Sequence, residues 1–269
     1  RMMAGMTFTI LGCGSSGGVP RLGGDWGDCD PENTKNKRRR CSLLVERKTD
    51  AGTTRVLIDT SPDWRQLLLD AVIGPLDVVV YTHAHADHTD GIDALRQIVF
   101  NLRHKLDVWA DAATRADLMA RFGYAFEQPE GSGYPAILNM HLIHGPVTVK
   151  GAGGDVTLVP FRVGHGGSDA LGFRIGDIAY IPDVVDIPSE TWPVLASLDC
   201  WILDALRRTP HPTHAHLALS LAWIARVKPQ RAVLTNMHLD MDYDTLCAEL
   251  PAHIRPAFDS MVITAGDPE

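Results

Sequence analysis

No run of 18 consecutive apolar residues occurs in this chain, so nothing in it is long enough to cross a bilayer as a helix. The opening RMMAGM lacks the hydrophobic segment of a signal peptide, which leads to the expectation of a cytoplasmic protein with no membrane partner. Positive charge is the minority sign, with 25 Lys and Arg against 33 Asp and Glu. A formal net charge of -8 gives no general attraction to nucleic acid, although a local basic patch can still read phosphate. Cysteine is scarce. Cys13, Cys29, Cys41, Cys200 and Cys247 are an odd, scattered set without a CxxC pair, which argues against a disulfide framework and against a structural zinc built from close pairs. Linkers and low-complexity tracts are also missing, so residues 1–269 are expected to form one domain.

What is present is ordinary core material, 45% hydrophobic over 269 residues, arranged mostly as strands. Thr7 to Cys13 reads as a first strand running into GCGSSGGVP. So many glycines in one turn imply close backbone approach or positive φ. Without a following GxGxxG helix or a Walker lysine, a nucleotide fold is a weak reading. Strands follow at 41–46 and 54–60, then a helix opened by Ser61 and Pro62, a buried strand at 77–81, a helix at 91–100, a strand at 106–110 and a helix at 112–122. Residues 123–146, with Tyr124, Phe126 and Tyr134 among prolines and glycines, read as a flap or irregular excursion. Phe122, Tyr124 and Phe126 suit either a substrate pocket or the core. From Val147 strands return, and a helix at 216–228 precedes a last strand at 231–236. Two strand-rich halves, each with helices after it, predict an α/β fold of two face-to-face sheets with helices outside.

The densest chemistry is DVVVYTHAHADHTDG at 77–91, where His83, His85, Asp87 and His88 crowd the end of a strand. In extended chain His83 and His85 point to one side, and Asp87 sits at a helix start, where a carboxylate is favoured. Neutral imidazoles with a carboxylate are a ligand set for Zn²⁺ or a similar ion. Three later strands end in further candidates, His165, Asp183 and His238. Ligands at successive strand ends converge on one rim, and their number favours two ions over one.

These residues carry a resemblance to the metallo-β-lactamase superfamily. THAHADH is similar to its HxHxDH signature, and LIDTSPD to the strand-end acidic residue beside the metals. GCGSSGGVPRLG, RRRCSLLV, LIDTSPDWRQ and LTNMHLDMDY resemble its phosphodiesterase branch, which includes phosphoribosyl cyclic phosphate phosphodiesterases. The resemblance covers nearly the whole chain and implies an αββα sandwich of two mixed sheets. It also implies two divalent ions, Zn²⁺ or Mn²⁺ with Fe²⁺ as a third choice, the first on His83, His85 and His165 and the second on Asp87, His88 and His238, bridged by Asp183. Relatives often read LTH where this chain reads LTN, so Asn236 stands in that place and His238 lies two residues on. Asp59 would orient the histidine loop. Two ions would lower the pKa of a bridging water for in-line attack on phosphorus, with His214 of PHPTHAH as proton donor. His216 is the alternative to His214, and His211 the third histidine there. Asp59 and Asp87 complete the catalytic set.

The function so implied is hydrolysis of a small nucleotide or sugar phosphodiester, open or cyclic. KNKRRR at 35–40 offers either a solvated loop or an anion-attracting rim for that substrate. The competing readings are RNA 3′ processing, a thioesterase or lactamase on the same scaffold, and a non-catalytic accessory protein of cofactor biosynthesis. A homodimer is left open. Clustered cysteines after GGVP can hold a small zinc site in relatives, whereas here Cys29 and Cys41 stand twelve positions apart, against a second structural metal.

Overall fold

The computed structural model describes residues 5–265; the ends of the expected 1–269 domain, including the first four residues of RMMAGM, lie outside them. The first half carries β1 (Met6–Gly12), β2 (Ser42–Thr49), β3 (Gly52–Ile58), α1 (Trp64–Asp70), β4 (Val78–Val80), α2 (Ala86–Thr89), α3 (Leu95–Leu102), β5 (Leu106–Ala110), α4 (Ala112–Phe126) and β6 (Leu138–Leu142). The second carries β7 (Val147–Val149), β8 (Val156–Gly164), β9 (Asp169–Ile175), β10 (Ile178–Ile181), β11 (Cys200–Asp204), α5 (Leu217–Val227), β12 (Arg231–Thr235), α6 (Tyr243–Glu249), β13 (Ile254–Pro256) and β14 (Met261–Thr264). They build two seven-stranded sheets, ordered β14-β1-β2-β3-β4-β5-β6 and β13-β12-β11-β10-β9-β8-β7. In each, hairpin-linked antiparallel strands give way to parallel ones, β3 through β6 in the first and β10 through β13 in the second.

Side-chain alternation decides how the sheets pack. In β2, Leu43 and Val45 face the second sheet, where with Phe8, Val56, Val78 and Val80 they meet Phe173, Tyr180, Ile202 and Val233. Leu44 points the other way, joining Leu57, Val79 and Val108 under Trp64, Leu67, Leu68 and Ile98 of the helices. The result is the expected α/β sandwich with helices outside. Among the described residues no helix is long and apolar enough to cross a membrane.

Several expectations change. The excursion at 123–146 is shorter than its composition suggests. α4 runs on to Phe126 past a kink at Phe122 (φ -128°, ψ 28°), and residues 138–142 add β6 parallel to β5 as an edge strand. Phe126 is buried and Phe122 packs beside it, while the Tyr124 hydroxyl donates to Asp93 at 2.9 Å; these aromatics serve packing. Residues 231–236 are not the last strand, because α6, β13 and β14 follow and β14 pairs antiparallel with β1. The glycine turn after β1 does mark a close approach, to this chain's own residues 38–40. A Cβ at Gly12 would sit 2.0 Å from the Arg40 carbonyl oxygen and one at Gly14 2.7 Å from that of Arg38.

Asp242, the N-cap of α6, anchors the loop over residues 21–40. Its Oδ1 accepts from Asp30 N (3.0 Å) and Asn36 Nδ2 (2.8 Å), and its Oδ2 from Thr245 N (3.1 Å) and Thr245 Oγ1 (2.8 Å). Burial pushes this carboxyl upward, but the donors outweigh it and bring its pKa down to about 2. Asp242→Ala is therefore expected to cost about 1–2 kcal/mol at pH 7, as for loss of a helix cap. Because the folded-state pKa is depressed, the contribution is complete above the unfolded value of about 4 and fades as pH falls toward 2. Urea unfolding of both proteins at pH 7 and pH 3 checks this; an unchanged gap at pH 3 would contradict it.

Candidate metal centre

Most of the expected ligands follow the C-terminal end of a strand, with Asp87 and His88 on α2 just beyond β4, and those strand ends meet at one rim. β3 ends before Asp59, β4 leads into His83 and His85, β8 into His165, β10 through Pro182 into Asp183, and β12 into Asn236. His83 Nε2 lies 3.0 Å and His165 Nε2 3.2 Å from His85 Nδ1. The other ring nitrogens fix which atoms face inward. His165 Nδ1 donates to the Thr213 carbonyl at 2.7 Å, and His83 Nδ1 pairs with Thr82 Oγ1 at 2.9 Å, which turns both Nε2 lone pairs to the centre. Burial holds the pKa values of His83 and His165 below the ordinary imidazole range, so both are neutral donors.

His88 makes the case for a cation most directly. Its Nδ1 donates to Asp59 Oδ2 at 2.7 Å, and Asp59 also accepts from Thr82 N (2.8 Å) and Thr82 Oγ1 (2.7 Å). Its Nε2 lies 2.8 Å from Asp183 Oδ2 and 3.4 Å from Asp87 Oδ2. Yet His88 Nε2 and Asp183 Oδ2 are buried with no hydrogen-bond partner among the described residues. An imidazole lone pair facing two carboxylates repels them unless a positive charge lies between. Burial disfavours a charged His88, but Asp183, Asp87 and Asp59 outweigh it and hold its pKa well above the ordinary value. The same pull holds Asp183 well below the carboxylate range against the opposing effect of burial. A divalent ion answers this demand. His83, His85 and His165 form one triad, His83, His88 and Asp183 a second, and His165, Asp183 and His214 a third, the donor atoms of each lying within 4.8 Å of one another. The residues present fit divalent metal.

His214 lies at the edge of this cluster, its Nδ1 2.7 Å from Asp204 Oδ2 and 3.8 Å from Asp183 Oδ1. Burial lowers its pKa, but Asp204 more than compensates and raises it to about 9. Asp204 escaped the sequence reading, although it ends the buried strand WILD just as Asp183 follows IAYI. It also accepts from Val184 N at 3.0 Å, so its carboxylate is aimed before His214 arrives. His216 instead starts α5, its carbonyl accepting from Ser220 N at 3.0 Å, and joins no triad. His211 Nδ1 accepts from Thr213 N at 3.1 Å and bends the loop under His214.

His238 is the correction. Like Asp87, it is in none of the triads, but Asp87 Oδ2 lies 3.4 Å from His88 Nε2 whereas His238 Nε2 is paired with Arg21 Nη2. Asn236 is what β12 delivers to the centre, for a one-residue geometric reason: Met237 N donates to Cys13 O and Met237 O accepts from Ser15 N, which turns the next side chain to the far side. The basic run divides as well. Arg38 is buried against Cys29 Sγ and Asn36 Oδ1, and Lys35 lies over the Tyr243 and Phe258 rings at 4.8 Å. Lys37, Arg39 and Arg40, with the buried Arg38 behind them, line a cleft of about 640 Å³ together with Arg21. Its one acidic lining residue, Asp63, is engaged by Arg40 at 2.6 Å. No triad includes a cysteine, and burial pushes the Cys13, Cys29 and Cys41 thiols upward, away from the thiolate a metal needs.

Residues 54–237 match the family model of the beta-lactamase superfamily domain. A solved diphosphatase from the PhnP family is 33% identical, superimposes with a TM-score of 0.85, and is covered over 97% of its length by 96% of this chain. Zinc-bound PqqB from Methylobacterium extorquens superimposes with a TM-score of 0.73 over 96% of this chain and 99% of that one, but at 18% identity that likeness shows the fold alone. A curated octanoyltransferase of Porphyromonas gingivalis (strain ATCC BAA-308 / W83) is 34% identical over 259 residues, 95% of this chain and 51% of that protein, so the chain spans about half the length of this relative. Strand-end histidines and aspartates on a two-sheet sandwich, and a family domain matched from β3 to the end of β12, agree: the chain belongs to the metallo-β-lactamase superfamily and is PhnP-like within it.

Proposed function

We propose that this metallo-hydrolase cleaves a phosphodiester of a small phosphorylated molecule, a nucleotide or sugar phosphate that is open or cyclic, at a two-ion centre. The observation that carries the reading is the cationic cleft beside the ligand cluster. Arg39 and Arg40 lead directly into Cys41, whose Sγ lies 3.9 Å from Thr235 Oγ1, beside Asn236 at the centre. In a protein of net charge -8, a cleft lined by Arg21, Lys37, Arg39 and Arg40 is a local exception that suits a phosphate. Divalent ions, when bound, polarise the phosphoryl group and make a water nucleophilic near neutral pH. His83, His85, His165, Asp87, His88 and Asp183 would hold them. Arg39 and its basic neighbours in the cleft position the substrate's anionic part. As water adds to phosphorus and the ester P–O bond breaks, His214 gives its proton to the leaving oxygen, and Asp204 keeps the imidazolium charged until then. Asp59 fixes His88 in the tautomer that presents Nε2.

The name octanoyltransferase adds no second reading, because it belongs to a protein of which this chain spans only about half. Stripping the protein with chelator, then restoring Zn²⁺ or Mn²⁺, should abolish and recover cleavage of bis-(p-nitrophenyl) phosphate and of a panel of cyclic phosphates. Reconstituted protein that hydrolyses thioesters or lactams and leaves every phosphodiester intact would overturn the proposal.

A further inference from the structure

The two ion positions within this cluster are unlike in the donors they offer. On one side His83, His85 and His165 converge with Asp183, whose Oδ1 lies 3.5 Å from His165 Nε2. Three imidazoles and a carboxylate make a complete four-donor set. On the other side His88 is joined by the carboxylates of Asp87 and the same Asp183; the one imidazole grouped with it, His83, has its Nε2 3.0 Å from His85 Nδ1 and is shared with the first set, and the residue that β12 supplies is Asn236.

Asn236 is buried, at 1% exposure, with a left-handed backbone (φ 59°) that asparagine tolerates better than most residues. Its Nδ2 donates to the Pro182 carbonyl at 2.7 Å and to Asp183 Oδ1 at 3.1 Å. Two oxygens on that side fix the amide, since a flip would set oxygen against oxygen. The group therefore brings an N–H to the shared carboxylate, and what it has left is one neutral carbonyl oxygen, a weaker ligand for these metals than imidazole. His238 cannot substitute. Arginine only donates, so the partner of Arg21 Nη2 must be the His238 Nε2 lone pair, and the backbone bonds of Met237 to Cys13 and Ser15 pin the segment between.

Resting on the phosphodiesterase reading, we propose that the chain binds its two ions unequally: tightly at His83, His85, His165 and Asp183, and loosely, in exchange with solution, at Asp87, His88 and Asp183. Asn236 is a positioning residue that holds Asp183 for the tight site, and the loose site leaves coordination open to water or a phosphate oxygen of the substrate.

Metal-free full-length protein titrated with Zn²⁺ in a calorimeter, together with metal analysis after gel filtration in metal-free buffer, tests this. The expected result is about one ion retained per chain and a second dissociation constant at least about 100-fold weaker, beyond the range for loss of a single outer partner. Asn236→His should bring retention to two ions, and His238→Ala should leave both constants unchanged. Two ions retained with similar affinity by the unaltered protein would overturn the inequality while leaving the two-ion hydrolase standing. Loss of an ion in His238→Ala, or a folded Asn236→His protein that still retains one, would overturn the assignment of Asn236. Failure of the unaltered protein to bind any divalent ion would overturn the functional reading itself.

Discussion

Replacing His214 by alanine is expected to lower phosphodiester turnover by about 10²- to 10⁴-fold, the range for losing a general acid, while the tightly held metal remains. The geometry separates the two outcomes. His214 Nδ1 is occupied by Asp204 at 2.7 Å, and the His83, His85 and His165 triad is complete without it. The deficit should also depend on the leaving group. A nitrophenolate departs with little help, whereas an alkoxide needs a proton, so the variant should lose far more activity on an alkyl or cyclic phosphate than on bis-(p-nitrophenyl) phosphate. Asp204→Asn gives a companion result. Without the carboxylate that raises His214 to about 9, the imidazolium loses its proton at lower pH, and the alkaline limb of the rate profile should move in that direction. Equal loss on both substrates, or loss of the tight ion in His214→Ala, would place His214 among the ligands instead.

Much of this arrangement was legible in the sequence because the relevant signals are local. Buried strands such as VVVY, IAYI and RAVLT declare themselves by apolar runs with a polar residue at the end; strand-end delivery pointed to His83, His85, His165 and Asp183, and the resemblance carried by LIDTSPD pointed to Asp59. The misses have a common physical origin. Asp204 ends a strand in the same manner, but its role exists only through His214, ten residues away and across a loop. His238 was expected at the centre because it lies just past the strand at 231–236. Which side of the chain faces the rim, though, is set by backbone bonds to Cys13 and Ser15, more than 200 residues earlier. KNKRRR looked like one patch, yet tertiary packing sets Lys35 over the Tyr243 and Phe258 rings and buries Arg38 in the wall of the cleft that Lys37, Arg39 and Arg40 line. The strands at 138–142, 254–256 and 261–264 are short and lie at or near sheet edges, where neighbours rather than propensity decide the conformation.

The second large effect belongs to Asp59, which touches none of the ion positions directly. Asp59→Asn keeps the size of the side chain and the left-handed backbone (φ 66°) that asparagine accepts. One carboxylate oxygen can be matched by the amide oxygen, accepting from Thr82 N as now. The other, which accepts from Thr82 Oγ1 and His88 Nδ1, becomes an NH₂ facing the His88 N–H. The threonine hydroxyl can rotate to accept, but the imidazole can escape the clash only by moving its proton to Nε2. That nitrogen is the one 2.8 Å from Asp183, and with a proton on it His88 is no longer a ligand. Metal affinity at the Asp87, His88 and Asp183 position should therefore fall by about 10- to 100-fold, the usual result of losing a carboxylate behind a ligating histidine, and turnover should fall with it at sub-saturating metal. The His83, His85 and His165 position should retain its ion, so calorimetric titration should show the weaker binding step weakened further and the stronger one preserved. If Asp59→Asn bound both ions as the unaltered protein does, Asp59 would be a turn residue, and the tautomer of His88 would be set by something other than its partner at 2.7 Å.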